Sequence, residues 1–328
     1  MYKFFVGIDV SKDVLDVSVK ISDQVEYIGQ FKNDTYGYMN MLKVVSKSTG
    51  ISSMEGFFCF ENTGIYSKRL LDFLVSQQIP GKEENPIQIK RSLGLKRGKN
   101  DRVDSQSICQ YAYEKRDTIT STKMDKPLIV KLKKLLSRRE LLVKQKVALQ
   151  VSVKEGATML DPLLHDFLDR QNRLLLALYA DQIKEIESEI KGCIKAEEEL
   201  RKNSDLIQSV KGIGPIIGAY LIAFTGNFSK FNDARKFACY CGIAPFQNQS
   251  GKFVGKTKVS HLANKRLKSI LSNAVPVAVR YDPQIGRYKQ SKLVEGKAKG
   301  IIMNNIKNKL IQRVFAVVKR QSPYVTLQ

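Results

Sequence analysis

Histidine is almost missing from this 328-residue sequence, with His165 and His261 as the whole supply. A histidine-rich metal site or an imidazole proton relay has little to be built from. Cysteine is equally unhelpful. Cys59, Cys109, Cys193, Cys239 and Cys241 are odd in number, scattered and without paired zinc-ligand spacing, which argues against a zinc module or a disulfide framework. No apolar run approaches the roughly 20 residues of a membrane-crossing helix. The N-terminal residues enter strand-like sequence with no signal-peptide pattern, so the expectation is a cytoplasmic protein with no membrane partner. Low-complexity tracts and internal repeats are absent as well.

Acidic residues are in the minority: 32 Asp and Glu stand against 55 Lys and Arg, a formal net charge of +23 with a pI near 9.7. Such a balance favours a polyanionic partner, either nucleic acid or an anionic surface, over a small neutral one. The excess is concentrated at the end of the chain. Residues 251–328 hold 17 Lys and Arg but 2 Asp and Glu, +15 of the total. Hydrophobic content of 43% is enough for real cores, and the length suits about two domains.

Phe4 to Val10 is almost wholly apolar, and Ser11, Lys12 and Asp13 turn the chain into the alternating Leu15, Val17 and Val19. This pattern predicts a buried strand hairpinned to a half-exposed one. A third strand is expected at Val25 to Phe31, a helix after Asp34 or Thr35, a strand from Met54 to Phe60, a helix from Ile65 to Val75 and a short strand at Ile87 to Ile89. Three strands, then helix, strand, helix, strand, helix, is the element order of the ribonuclease H architecture. That domain should occupy 1–120. Leu132, Leu135, Leu136, Leu141 and Leu142 then begin long helical stretches, broken near Gly156 and resuming from Leu174 to Leu200. They read as an antiparallel pair or coiled coil over 121–203, packing on itself or joining subunits. A mainly helical domain fills 204–328, so the expected class is α/β plus α.

Four carboxylates stand out against this order. Asp9 ends the first buried strand and Glu61 ends the apolar run Phe57 to Phe60 on a neighbouring one, where an unpaired charge is costly. Asp101 and Asp104 are three apart, which places them on one face of a helix. Singly, each also suits a turn or helix cap. Together they suit divalent metal, magnesium best, acting on a phosphodiester. An actin-like ATPase also opens with a strand, an Asp and a hairpin, but its Gly-rich phosphate hairpin has no counterpart in Val10, Ser11, Lys12.

Gly212 and Gly214, followed by Pro215, form a turn between helical stretches. Its backbone amides suit a DNA phosphate, and close helix packing explains the glycines equally well. Ser250, in a polar loop before Gly251 and near Lys252, Lys256 and Lys258, is either a nucleophile in a basic setting or a turn residue. The lysines are candidate nucleic-acid contacts.

Several ordered motifs resemble the DEDD transposases of bacterial insertion sequences, the insertion-sequence one-ten family, together with the Piv-type DNA invertases. They are Gly7-Ile8-Asp9-Val10-Ser11-Lys12, Phe60-Glu61-Asn62-Thr63-Gly64 and Lys99-Asn100-Asp101-Arg102-Val103-Asp104-Ser105 in the first half. In the second they are Gly212 to Pro215, Gly242-Ile243-Ala244-Pro245 and Gln249-Ser250-Gly251. The resemblance spans nearly the whole chain. It implies a RuvC-like first domain, a helical linker used in assembly as a homodimer or homotetramer, and a C-terminal transposase domain. It further implies a metal-binding tetrad of Asp9, Glu61, Asp101 and Asp104, with Ser250 as nucleophile in covalent phosphoserine strand exchange. Its partners would be donor and target DNA, selected by a non-coding bridge RNA, in a bacterial cytoplasm at the nucleoid. Ser105 replaces the more usual alanine and leaves the carboxylates intact; Ser260 precedes His261 where the motif has glycine, which leaves Ser250. The competing enzyme is a magnesium-dependent junction-resolving nuclease with no covalent intermediate, and a third class is a nucleic-acid-binding protein whose acids are structural.

Overall fold

The computed structural model describes residues 2–22, 24–92, 100–156, 161–231, 233–250, 253–259 and 263–325, with backbone alone for 246–250 and 253–258. Two compact units divide the chain, Met1–Met124 and Asp125–Gln328.

The first unit runs β1 (Phe4–Val10), β2 (Val14–Lys20), β3 (Val25–Lys32), α1 (Thr35–Thr49), β4 (Gly56–Glu61), α2 (Ile65–Ser76), β5 (Gly81–Glu84), α3 (Pro86–Ser92) and α4 (Asp101–Glu114). Its sheet has the order β3-β2-β1-β4-β5; the first three strands are antiparallel neighbours, whereas β1, β4 and β5 run parallel. Two-residue periodicity sorts the side chains between two cores. Phe4, Val6, Ile8, Leu15, Val17, Phe58 and Phe60 face Met41 and Val45 of α1 and Leu70 and Leu74 of α2. Phe5, Phe57 and Cys59 face Ile108, Cys109 and Ala112 of α4. Each fully buried phenylalanine contributes about 2 kcal/mol or more.

In this unit two readings of the sequence need correction. The strand expected at Ile87 to Ile89 is helix α3, because Pro86 suits a first helical position and Asn85 Oδ1 accepts from the Ile87 amide (3.0 Å). The strand itself, β5, comes earlier. Likewise β2 is not half-exposed: Asp16, Ser18 and Lys20, its polar face, are buried along with the apolar one. Helix α4 covers that face, and a hydrogen bond joins Ser18 to Ser105 of α4 (2.8 Å).

The second unit contains α5 (Pro127–Gly156), α6 (Pro162–Lys195), α7 (Glu198–Gln208), α8 (Pro215–Thr225), α9 (Ala234–Tyr240), the hairpin β6 (Phe246–Ser250) and β7 (Phe253–Lys258), α10 (Lys265–Tyr281), α11 (Pro283–Val294) and α12 (Lys299–Arg320). Helices α5 and α6 are antiparallel, crossed by the pairs Lys131–Glu189 (3.2 Å) and Arg139–Glu187 (2.6 Å). α6 is longer than expected and stops at Lys195; Leu200 belongs to α7. The base of the pair shares one core with the C-terminal helices. Ile129, Leu132, Leu136, Ile190 and Ile194 cluster with Leu206, Tyr220, Leu271 and Leu310. Arg266 of α10 reinforces the joint: it donates to the Leu136 carbonyl (2.7 Å) and the Tyr220 hydroxyl (2.8 Å) and pairs with Glu140.

Candidate carboxylate site

The α4-covered face of the sheet ends in a row of acids. Asp9 of β1 is the cross-strand partner of Asp16 in β2, and Glu61 of β4 is the partner of Glu84 in β5. Since β1 and β4 run parallel with Ile8 beside Phe60, Asp9 and Glu61 lie one residue further along adjacent strands. Alternation therefore projects all four toward α4. Helix α4 brings Asp101 and Asp104 in its first turn, where Asn100 caps the helix by accepting from the Val103 amide (2.8 Å).

Gly7 sets how closely the helix approaches. A Cβ there would lie 2.1 Å from the Cys109 nitrogen and 2.3 Å from the Ser105 carbonyl oxygen, both backbone atoms of α4. Only glycine lets the helix rest on β1 beside Asp9.

The Asp9 carboxyl is pushed up to about 6, first by burial and then by the charges of Asp101, Asp104, Glu61 and Asp16. The acids named from the sequence are thus electrostatic neighbours. Among the described residues no three His, Cys, Asp or Glu side chains stand together in a ligating array. The donor chemistry nonetheless fits a hard divalent cation, because every donor is a carboxylate oxygen and the crowded negative charge that raises Asp9 is what a cation would relieve.

Sequence reasoning missed Asp16 and the residues that hold it. Asp16 is 5% exposed. Its Oδ1 accepts from the Tyr27 hydroxyl (2.6 Å) and its Oδ2 from Gln30 Nε2 (3.1 Å). Simple alternation puts Tyr27 and Gln30 on opposite faces of β3, but the register slips between Val17 and Ser18, and Gly29 adopts φ 146°. This bulge turns both residues toward Asp16. Burial first, and then the bond to Asp16, push the Tyr27 phenol up to about 12, so it remains a donor at neutral pH. The sequence signal was the parity of Asp16 with Ser18 and Lys20; the bulge left only Gly29 as a trace. Glu84 is similarly held, accepting from the Tyr111 hydroxyl (3.0 Å).

In the second unit, Gly212 has φ 97° and a Cβ there would meet the Ala274 carbonyl oxygen at 2.7 Å and the Ala278 Cβ at 2.9 Å. Packing on α10 accounts for this glycine. Gly214 is half-buried at the N-terminus of α8, with Pro215 next, and a Cβ there would meet nothing. Ser250 is not in a loop but is the last residue of β6, paired with Phe253 of β7, and Lys256 and Lys258 lie on β7. Lys99, Gly251, Lys252, Ser260 and His261 lie outside the described residues.

Comparison with known proteins agrees with both halves. Residues 6–159 match a family model described as a transposase, of the DEDD type, and residues 204–290 match one described as the transposase IS116/IS110/IS902 family. The pilin gene-inverting protein of Moraxella bovis is 26% identical, over 99% of this chain and 98% of that protein. The transposase for insertion sequence element IS1111A of Coxiella burnetii is 24% identical over 97% and 90% respectively. An uncharacterised protein of insertion element IS116 from Streptomyces clavuligerus is 32% identical across 29% of this chain and 22% of its own length. With both family models in order and full-length relatives that transpose or invert DNA by name, the chain belongs to the IS116/IS110/IS902 transposase family of DNA-recombining enzymes.

Proposed function

We propose that this protein cuts and rejoins DNA at insertion-sequence ends and target through a covalent phosphoserine on Ser250, guided by a non-coding bridge RNA. The first unit is read as a RuvC-like ribonuclease H domain, supported by its 3-2-1-4-5 strand order and by the carboxylates at the strand ends. The observation that carries the reading is geometric: Asp9 and Glu61 follow Ile8 and Phe60 on adjacent parallel strands, Asp101 and Asp104 stand in the first turn of the helix that covers them, and burial first, then these neighbouring charges, raises Asp9.

Asp9, Glu61, Asp101 and Asp104 would hold magnesium. When bound, it supplies charge neutralisation for the attacked phosphate and its leaving oxygen. The Ser250 hydroxyl displaces one DNA oxygen from phosphorus; the hydroxyl of the incoming strand then displaces the serine. One phosphoester is exchanged for another at each step, so rejoining needs no external energy source. The second unit would bind nucleic acid through Lys252, Lys256 and Lys258 and through the α8 N-terminus at Gly214, with Gly212 shaping the turn. The +15 of residues 251–328 supports DNA and RNA as partners.

Homo-oligomerisation, as a dimer or tetramer, has its support on α6. Leu163, Phe167, Leu174 and Leu178 are 82%, 52%, 70% and 52% exposed. Offsets of 4, 11 and 15 residues from Leu163 stack them on one helical face, suited to a second copy of the same helix. Among the described residues no helix is long and apolar enough to cross a membrane.

The decisive experiment is Ser250→Ala. It should abolish strand exchange with DNA binding retained, while the parent protein yields a covalent protein–DNA adduct on denaturing gels. Full recombination by the alanine variant would refute the serine, and magnesium-dependent cutting without an adduct would favour a hydrolytic junction-resolving nuclease instead.

A further inference from the structure

Arg102 stands in the first turn of α4 between Asp101 and Asp104, exposed to solvent. Its guanidinium carbon lies 4.9 Å from the centroid of the Tyr27 ring. That ring is itself anchored, because its hydroxyl donates to buried Asp16, whose second oxygen is taken by Gln30. A buried carboxylate thus fixes a phenol, and the phenol seats a cation at the border of the acidic row. Tyr27 and Arg102 also line a cavity of about 520 Å³, with Gln24, Glu26 and Gln106 among its other walls.

Acids crowded on one sheet edge repel a nucleic-acid backbone. A guanidinium beside them supplies the fork that a phosphate accepts in two hydrogen bonds. Seating it on a ring removes side-chain freedom that an unsupported arginine would lose on binding. The cavity has the volume for one nucleotide, and Gln24 and Gln106 bring amide groups to its lining.

We infer that Arg102, seated on Tyr27 and positioned by Asp16, holds the backbone phosphate of the nucleotide adjoining the one at the carboxylate site, and that the cavity between β3 and α4 receives that nucleotide. The inference rests on the nucleic-acid reading above. Arg102 is a substrate-positioning residue, and Tyr27 and Asp16 act through it.

The test is DNA affinity of the full-length protein, read by fluorescence anisotropy of labelled oligonucleotides at fixed magnesium and from about 50 to about 200 mM salt. Arg102→Gln should lower the slope of log affinity against log salt by about 1, the signature of one lost phosphate contact, with an unchanged melting temperature. Tyr27→Leu, which removes the platform, should lose the same contact. Tyr27→Phe, which keeps the ring, should retain the parental slope with affinity reduced about twofold or less, as for a weakened supporting contact. A parental slope in folded Arg102→Gln or Tyr27→Leu would overturn the assignment. If the parent itself binds DNA with no salt dependence, the nucleic-acid reading falls first and takes the inference with it.

Discussion

Asp9 and Asp16 face each other as partners across the antiparallel β1–β2 ladder, so their carboxylates emerge side by side beneath α4. They differ in company. Asp16 is satisfied by Tyr27 and Gln30, whereas Asp9 bears the cost of burial first and then the repulsion of the surrounding acids.

That difference makes Asp9 a stability cost in metal-free protein. An acid whose pKa is raised in the folded state stabilises most when protonated, below its ordinary value of 3.8, and the benefit is lost as pH rises through about 6. Melting temperature in the presence of a chelator should therefore fall between about pH 4 and pH 6.5. Asp9→Asn should flatten that part of the profile and, at neutral pH, stabilise the fold by about 1 kcal/mol, a figure reduced for partial exposure of the group. The same variant should lose magnesium-dependent strand cutting. Equal melting profiles for variant and parent would show that neither burial nor the neighbouring acids raise Asp9.

Gly7→Ala should behave in the opposite way. Its methyl group meets the α4 backbone at 2.1 and 2.3 Å, so the helix must move away and carry Asp101 and Asp104 with it. A loss of about 2 kcal/mol or more in urea unfolding is expected, with loss of cutting in protein that remains folded. Unchanged stability would mean that α4 approaches less closely.

In the second unit, Asp282 is fully buried, caps α11 at the Ile285 amide (3.1 Å) and pairs with Arg313 of α12 (2.6 Å). Arg313→Ala strands that carboxylate and should cost about 3 kcal/mol. The double variant Asp282→Asn with Arg313→Met should recover much of it, since it removes the uncompensated charge. Differential scanning calorimetry of the three proteins provides the check.

Leu163→Glu combined with Leu174→Glu places charge on the exposed face of α6 without entering the core. Sedimentation velocity should show a smaller species than the parent. An unchanged sedimentation coefficient would refute the proposed association through α6.

Much of this was readable along the chain. The buried run Phe4 to Val10, the polar parity of Asp9 and Glu61 at strand ends, and the three-residue spacing of Asp101 and Asp104 depend on local periodicity, which sequence carries directly. The segment Ile87-Gln88-Ile89 reads as a strand because two isoleucines around one polar residue are too short a pattern to separate strand from helix, whereas Asn85 and Pro86 hold the helix signal. Burial of Asp16, Ser18 and Lys20 was not legible, because alternation tells which residues share a face and not what covers it.

By itself, then, the sequence determined strands β1 to β4, helices α1, α2 and α4, and the places of the four acids along them, since each follows from neighbours within a few residues. Tertiary structure alone decided that Asp16 joins them, that a bulge at Gly29 delivers Tyr27 to it, and that Arg102 rests on that ring. Those relations depend on register and on helix approach, and both are settled by packing between segments far apart in the chain.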